Sequence, residues 1–296
     1  MPAPTDGVLL VDKPAGVTST RTLGAAKRAL GLRKAGHTGT LDPFATGLLP
    51  IVFGEATKFS RFLLDADKSY RALLHLGHTS TTGDTEGEIT KIDARLPTID
   101  AVSSVLASLL GPQDQIPPMH SAVRVDGQRL YDLARQGVEV PRAPRRIQVY
   151  ELESVLFSGE FLEISVKCSK GTYVRTLGEE IGARLGCGAY LTQLRRTAIG
   201  RFRVEDALAP EALASLGEEV ARSRLQAPEA LVEALPRLDL AQDGAWALCN
   251  GQEWPVGPGV GEGEFAMFGP GARFLGVGRV AGGRLTAARL MHTGHG

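Results

Sequence analysis

Gly36-His37-Thr38-Gly39-Thr40-Leu41-Asp42-Pro43-Phe44-Ala45-Thr46-Gly47-Leu48-Leu49-Pro50 is the stretch on which the reading of this chain turns. Glycine at three points lets the backbone take unusual dihedrals and lets a ligand come close to it. Pro43 restricts Asp42 to extended or turn conformations, which holds its carboxylate in one place. Taken alone, these residues leave two readings open: a reactive carboxylate, or an Asx-type turn in which Asp42 only caps a following amide. Just upstream, Lys13 to Leu41 contains no acid and carries Lys13, Arg21, Lys27, Arg28, Arg33 and Lys34. A carboxylate loop beside such a run suits chemistry on a polyanion.

Two further constellations lie outward from this motif. Ser169-Lys170-Gly171-Thr172-Tyr173-Val174-Arg175 falls between a strand-like and a helix-like run, so Tyr173 and Arg175 project from a strand end or a first helical turn. An arginine beside Asp42 would keep it ionised and below the usual carboxylate range; a surface arginine at a helix start is the other reading. In Asp67-Lys68-Ser69-Tyr70-Arg71 an aromatic residue sits between cations. That fits base stacking, worth roughly 1–3 kcal/mol per base, and it equally fits a strand tyrosine packed in a core. His75 and His78 lack a third ligand for a metal. Gly276–Ala281 has the loose dinucleotide spacing, but a strand follows rather than a helix. There is no P-loop and no serine elbow.

The 296 residues carry 33 basic and 33 acidic side chains, a net charge of zero, yet the charge is segregated. Ile181–Val204 is free of acid and holds Arg184, Arg195, Arg196, Arg201 and Arg203, while Arg142, Arg145 and Arg146 form a third basic cluster. The acids gather in Asp84–Asp93 and Glu205–Glu233. A neutral chain with this distribution can present a phosphate-binding face. No run approaches eighteen apolar residues, which argues against a membrane partner, and no basic-then-apolar leader pattern opens the chain. Cys168, Cys187 and Cys249 are scattered and odd in number, as expected of a cytoplasmic protein without a disulfide frame.

Periodicity predicts a strand at Val8–Val11, a helix at Ser19–Leu30 stopped by Gly31, a loop over Gly36–Gly47, and a helix at Lys58–Leu64. It then predicts a strand at Tyr70–Gly77 and a helix at Ala101–Leu110 capped by Asp100 and ended by Gly111-Pro112. Pro117 to Pro144 reads as an insertion around a short helix, Arg129–Gln136. Strands at Ile147–Leu156, Phe161–Cys168 and Tyr190–Ala198 follow, with a helix at Val174–Leu185 before the last. An acidic helical stretch runs from Pro210 to about Ala234. After Pro236 the glycine-rich texture predicts a small all-β module with strands at Phe274–Val280 and Arg284–Leu290. The first part is therefore α+β or mixed α/β.

The constellations, in this order, resemble the bacterial tRNA pseudouridine synthase B family. The matching segments are GVLLVDKPAGVTS at 7–19, AGHTGTLDPFATGLLPIVFGEATKF at 35–59, KSYR at 68–71, QIPPMHSAVRVDGQRLYDLARQGVEVPR at 115–142, CSKGTYVRTLGEEIG at 168–182 and GCGAYLTQLRRTAIG at 186–200. The resemblance implies the pseudouridine synthase fold, a mixed and mainly antiparallel central sheet with flanking helices, over residues 1–235 with an insertion at about 115–144. A small β-barrel-like RNA-binding module of the PUA type is implied over 236–296. It implies isomerisation of the uridine at position 55 in the T loop of tRNA, with no cofactor, no metal and no guide RNA, by a monomer. Asp42 takes the catalytic aspartate's place, Tyr70 stacks on the flipped base and assists proton removal, and Arg175 pairs with Asp42. Tyr173 and Leu194 line the pocket and His37 enters the RNA loop. Lys13, Thr40, Arg145 and Lys170 complete the expected substrate-binding set. Ser69 and His120 depart from the family's usual basic and aromatic residues, a matter of local RNA contacts.

Asp42 must be an anion whether it attacks the sugar, attacks the base or abstracts a ribose proton, and the sequence does not choose among the three. One rival is an RNA-binding, tRNA-folding helper, which predicts loss of Asp42, Tyr70 or Arg175. The other is an aspartate-nucleophile hydrolase, which predicts a metal or phosphate motif.

Overall fold

Buried side chains at every second position of Lys68–Leu76 (Lys68, Tyr70, Ala72, Leu74 and Leu76) set one face of the central sheet. Gly7–Lys13 and Thr46–Phe53 are instead nearly continuous apolar runs buried on both faces, the pattern of strands covered from two sides. In this computed structural model, which describes residues 3–120, 124–125, 128–129, 138 and 140–291, these strands form the middle and one edge of a nine-stranded sheet.

In chain order the catalytic part comprises β1 (Gly7–Lys13), α1 (Ser19–Leu30), β2 (Ala35–His37), β3 (Thr46–Phe53), α2 (Ser60–Asp65), β4 (Lys68–Leu76), β5 (His78–Ser80) and β6 (Ile89–Lys91). It continues with α3 (Ile99–Ser108), β7 (Gly111–Gln115), β8 (Arg124–Val125), β9 (Gln128–Arg129), β10 (Arg145–Phe157), β11 (Phe161–Cys168), α4 (Val174–Arg184), β12 (Ala189–Ile199) and β13 (Phe202–Arg203). The sheet runs β1-β3-β12-β4-β11-β10-β7, with β2 on β3 and β13 on β12. Every pairing is antiparallel except β12 on β3, as the mainly antiparallel expectation requires.

Local signals explain several boundaries. α1 opens where Thr18 accepts the Arg21 amide at 3.2 Å, and it ends at Gly31 with φ 62°, a left-handed cap. The expected cap of α3 is corrected: Thr98, not Asp100, accepts the Ala101 amide at 3.3 Å, and Asp100 lies in the first turn, where its charge favours the helix dipole. Gly111-Pro112 stops α3 and also begins edge strand β7, which pairs with Arg145–Val149. Gln115, expected as the first inserted residue, is thus the last of a sheet strand. The helix expected at Arg129–Gln136 lies outside the described residues, except that Arg129 pairs with Arg124. The acidic stretch is not one helix. It breaks into α5 (Pro210–Ser215), α6 (Glu218–Arg222) and a 3-10 turn at Pro228–Leu231.

Beyond Pro236 lie β14 (Arg237–Asp239), α7 (Gln242–Cys249), β15 (Trp254–Pro255), β16 (Gly263–Gly269), β17 (Arg273–Ala281) and β18 (Arg284–Leu290). The strands form a half-barrel sheet ordered β14-β16-β17-β18-β15. The all-β expectation missed α7, whose Ala- and Trp-containing run buries Ala245, Ala247 and Leu248. One apolar cluster lies between the Tyr70 face of the main sheet and helices α3 and α4. A second joins Val8, Leu48, Phe59 and Leu63 to Ala266, Phe268, Phe274 and Val277 of the half-barrel. The rings of Phe59 and Phe274 lie 5.4 Å apart, and Lys58 Nζ donates to the Leu290 carbonyl at 2.9 Å.

Candidate active site

The motif that opened the sequence is pinned by buried groups before it reaches any ligand. Ser19 Oγ accepts the Leu41 amide at 2.9 Å and donates to the Leu41 carbonyl at 3.1 Å. Lys13 is wholly buried, and its ammonium donates to the carbonyls of Pro14 at 2.9 Å, Val17 at 2.6 Å and Pro43 at 3.2 Å. With all three donors given to the loop, Lys13 shapes the Asp42–Pro43 turn and does not offer itself to RNA, which corrects its expected substrate-binding role. Burial pulls its pKa down to about 8. Gly47 is required where β3 starts beside β12: a Cβ there would lie 2.3 Å from the Arg196 carbonyl oxygen, and φ is +103°.

This loop sets Asp42 on the wall of a cavity of about 290 Å³. The Asp42 carbonyl accepts the Ala45 amide, while its carboxylate takes Arg175, with Nε 3.0 Å from Oδ2. Arg175 lies in the first turn of α4 and is only 4% exposed. It also sits 3.3 Å from Asp84 Oδ2 and donates to the carbonyls of Thr82 at 3.0 Å and His120 at 2.7 Å. Asp84, 1% exposed, accepts from the Thr82 hydroxyl at 2.5 Å and the Glu86 amide at 2.9 Å. One guanidinium therefore serves two carboxylates, and sequence reasoning missed the second.

The expectation that Arg175 alone sets the charge on Asp42 is corrected in sign. Burial pushes the Asp42 pKa up from 3.8, Arg175 pulls it back, and Asp84 adds a further push upward. Burial together with Asp84 likewise raises Glu86. Arg175 thus favours the charged form of a half-buried carboxylate against burial and Asp84, and a carboxylate whose charge is only partly solvated is the more basic and nucleophilic for it.

Across the cavity, Tyr70 projects from β4 and is 9% exposed. Arg196 stands opposite it in the register of β12 on β4, and burial raises the Tyr70 pKa while Arg196 pulls it back. Arg196 is 2% exposed and donates to the carbonyls of Leu48 at 2.8 Å and Gly39 at 3.1 Å. In the sequence Arg196 read as one of a surface basic run. Alternation along β12 separates neighbours instead: Arg195 points outward to Asp12, at 3.0 and 2.7 Å, and Arg196 points inward.

The remaining expected residues divide. Tyr173, Leu194 and Thr40 line the cavity. Tyr173 is held by Gln115, whose Oε1 accepts its amide at 2.7 Å and whose Nε2 donates to its carbonyl at 3.1 Å. His37 ends β2 outside the cavity lining, half-buried, with Nδ1 unpartnered among the described residues; burial and then Arg196 lower its pKa. Lys170 is exposed and pairs with Asp65 at 2.8 Å, and Arg145 is exposed at the start of β10, opposite Gln115 of edge strand β7; neither lines the cavity. The picture of Tyr70 between two RNA-facing cations is also corrected. Lys68 caps the end of α2, donating to the carbonyls of Leu63, Leu64 and Ala66, and Arg71 points to the opposite face and pairs with Glu163 at 3.3 Å. The rings of His75 and His78 lie tilted against each other with centroids 4.3 Å apart. No group of three His, Cys, Asp or Glu side chains poised for a metal occurs among the described residues.

A half-buried carboxylate paired with a buried arginine faces a tyrosine on a mixed sheet, and comparison with known proteins gives the class. Residues 27–174 match the TruB family pseudouridylate synthase N-terminal domain, 175–235 the tRNA pseudouridylate synthase B C-terminal domain, and 236–291 the pseudouridine synthase II TruB C-terminal model. The chain is similar to the tRNA pseudouridine synthase B of Azoarcus sp. (49% identity over 97% of this chain and 95% of that protein) and of Methylobacillus flagellatus (46%, over 97% and 95%). It belongs to the TruB family. Among solved structures it resembles a Cbf5-Nop10-Gar1 complex (TM-score 0.73, 29% identity, 93% of this chain and 78% of that chain). An archaeal box H/ACA sRNP Nop10-Cbf5 complex also matches, at TM-score 0.73 and 26% identity over 97% and 86%.

Proposed function

We propose that this chain is a tRNA pseudouridine synthase that isomerises uridine 55 of the T loop, with Asp42 as the reacting carboxylate. The observation that carries the reading is Asp42 itself: a half-buried carboxylate, held by Arg175 at 3.0 Å and open to a space lined by Tyr70 and Leu194. The target base must leave its stack to reach this cavity, at a cost of a few kcal/mol. Exposed Arg21, Arg28 and Arg33 are suited to recover part of that cost on phosphates. Chemically, the C1′–N1 bond breaks and a C1′–C5 bond forms. The C5 proton is lost and N1 gains one from solvent, so the reaction is an isomerisation with no redox change. Tyr70 stacks on the base; Arg175 keeps Asp42 charged; Tyr173 and Leu194 shape the pocket; Thr40 and His37 contact the RNA loop.

We infer that the protein acts on tRNA, the substrate in the name of its 42–49% identical relatives, that it does so unaided by a guide RNA, and that it works as a cytoplasmic monomer. No described helix is long and apolar enough to cross a membrane. The segment 236–296 that carries the half-barrel is taken as a second RNA-contacting module and 1–235 as the catalytic domain. The test is tritium release from tRNA transcript labelled at C5 of uridine, with Asp42→Asn alongside and binding measured by filter retention. Release confined to the T loop by the wild type, and none from a variant that still binds, is expected. Tight binding without release by the wild type would leave an RNA-binding helper.

A further inference from the structure

Gln115 is a buried amide, 7% exposed, and its two ends meet the two polar groups of one backbone residue. Its Oε1 accepts the Tyr173 amide at 2.7 Å, and its Nε2 donates to the Tyr173 carbonyl at 3.1 Å. A glutamine carries an acceptor and donors side by side, so it pairs with an extended residue as a neighbouring strand would. Tyr173 is such a residue, with φ −98° and ψ 109°, and it precedes α4 without a side-chain cap of its own. The opening amides of a helix lack partners within it, and Gln115 satisfies this one from another element. The Tyr173 carbonyl also accepts the Leu177 amide at 3.1 Å. The clasp therefore closes on the very turn that carries Arg175.

Gln115 also stands at the root of the insertion, opposite Arg145 in the register of β7 on β10. Within the segment between them the His120 carbonyl accepts Arg175 Nη2 at 2.7 Å, and the Pro117 carbonyl accepts Arg142 at 3.1 Å. The root is thus bound to the start of α4 at two places, the Tyr173 backbone and the Arg175 guanidinium. Gln115 does not itself line the cavity, whereas Tyr173 and Arg175 do. Resting on the function proposed above, we infer that Gln115 is a positioning residue: its clasp on the Tyr173 backbone fixes the Tyr173 ring against the target uridine and the Arg175 guanidinium against Asp42. Arg175 follows the clasp by two residues, so slack at Tyr173 is passed to the 3.0 Å contact with Asp42. A loosened Arg175 leaves that carboxyl to burial and Asp84, both of which raise its pKa.

The experiment is single-turnover tritium release from C5-labelled tRNA at saturating enzyme, as a function of pH, for wild type, Gln115→Leu and Gln115→Glu. Filter retention measures tRNA binding and urea unfolding measures folding. Gln115→Leu keeps the bulk and loses both bonds. It is expected to slow conversion about thirtyfold, short of the roughly hundredfold that an ångström of misplacement can cost, while tRNA binding is retained. The acid limb of its rate profile is expected at higher pH than that of wild type. A packing role would not move that limb, so an unchanged rate, or a slower one with the limb in place, overturns the proposal. Gln115→Glu keeps an acceptor for the Tyr173 amide and regains a donor for the Tyr173 carbonyl only when protonated. Burial favours the protonated carboxyl, so its rate as a fraction of wild type should climb several-fold as pH falls from about 8 to about 5.5. Should Gln115→Leu fail to fold, that fraction decides, and a flat one overturns the proposal. A wild type that converts no uridine fails the functional reading itself, before any variant is compared.

Discussion

The cavity has two buried guanidiniums, and they are solvated in opposite ways. Arg175 has a surplus of negative partners, with Asp42 at 3.0 Å and Asp84 at 3.3 Å. Arg196 donates to two carbonyls and stands opposite the Tyr70 phenol. One wall is therefore net negative and the other net positive, and a base lying between them sits in a fixed field. Lys13 belongs with Arg196: it too is buried and met by carbonyls. The contrast separates cations that tune a reacting group from cations that build the loop carrying it. Electrostatic work of this kind is most effective where water is excluded and the dipoles are already oriented.

Arg175→Met should break the negative wall most severely. Buried Asp84 and half-buried Asp42 would lose their cation; with part of the scale for a fully buried pair, about 3–5 kcal/mol, screened by solvent at Asp42, a loss of about a hundredfold in single-turnover rate is expected. Arg175 is the strongest influence lowering the Asp42 pKa, so the acid limb of the pH–rate profile should move to higher pH. A limb that stays in place would mean that Arg175 does not set the ionisation of Asp42.

Lys13→Met tests the loop-building class. Each carbonyl left without its donor costs about 1–3 kcal/mol, so urea unfolding at pH 7 should show a loss of roughly 2–4 kcal/mol. Because the pKa of Lys13 is lowered from 10.5 to about 8, the unfolded chain binds more protons in that window. Wild-type stability should gain from this residue as pH rises from 8 to 10.5, a gain missing from the variant. A variant as stable as wild type would move Lys13 out of this class.

Asp42→Asn should act the other way on stability. With the folded pKa raised above 3.8, the stability contributed by Asp42 is fully present below pH 3.8 and is lost as pH rises through the folded value. The variant should therefore match wild type at the acid end and exceed it at pH 7. Equal stability at both pH values would mean that the site carries no ionisation strain. Smallest of all, Lys170→Ala removes an exposed pair with Asp65 and should change stability by less than about 0.5 kcal/mol.

Much of this was legible where local chemistry decides. Ser19–Leu30, Phe161–Cys168 and Arg284–Leu290 fall where caps and alternation put them, and Asp42, Tyr70 and Arg175 meet in one cavity. Asp84 was not legible, because Ser-Thr-Thr-Gly-Asp-Thr-Glu-Gly reads as loop and nothing local says that its carboxylate is buried under Arg175. Arg196 was hidden by its neighbour: only the register of β12 against β4 and β3 tells which of two adjacent arginines turns inward. Lys13 and Lys68 counted as RNA-facing charge until carbonyl partners from other elements claimed them. In each case the deciding partner comes from another element of the fold.

The aromatic seam of Phe59, Phe268 and Phe274 makes the molecule a gauge. Because the half-barrel is joined to the main sheet by packed rings, not by a linker alone, the span between its outer face and Asp42 is as stiff as a protein interior. An RNA that touches both ends is measured against a fixed length, and one of the wrong span pays for the misfit in its own bending.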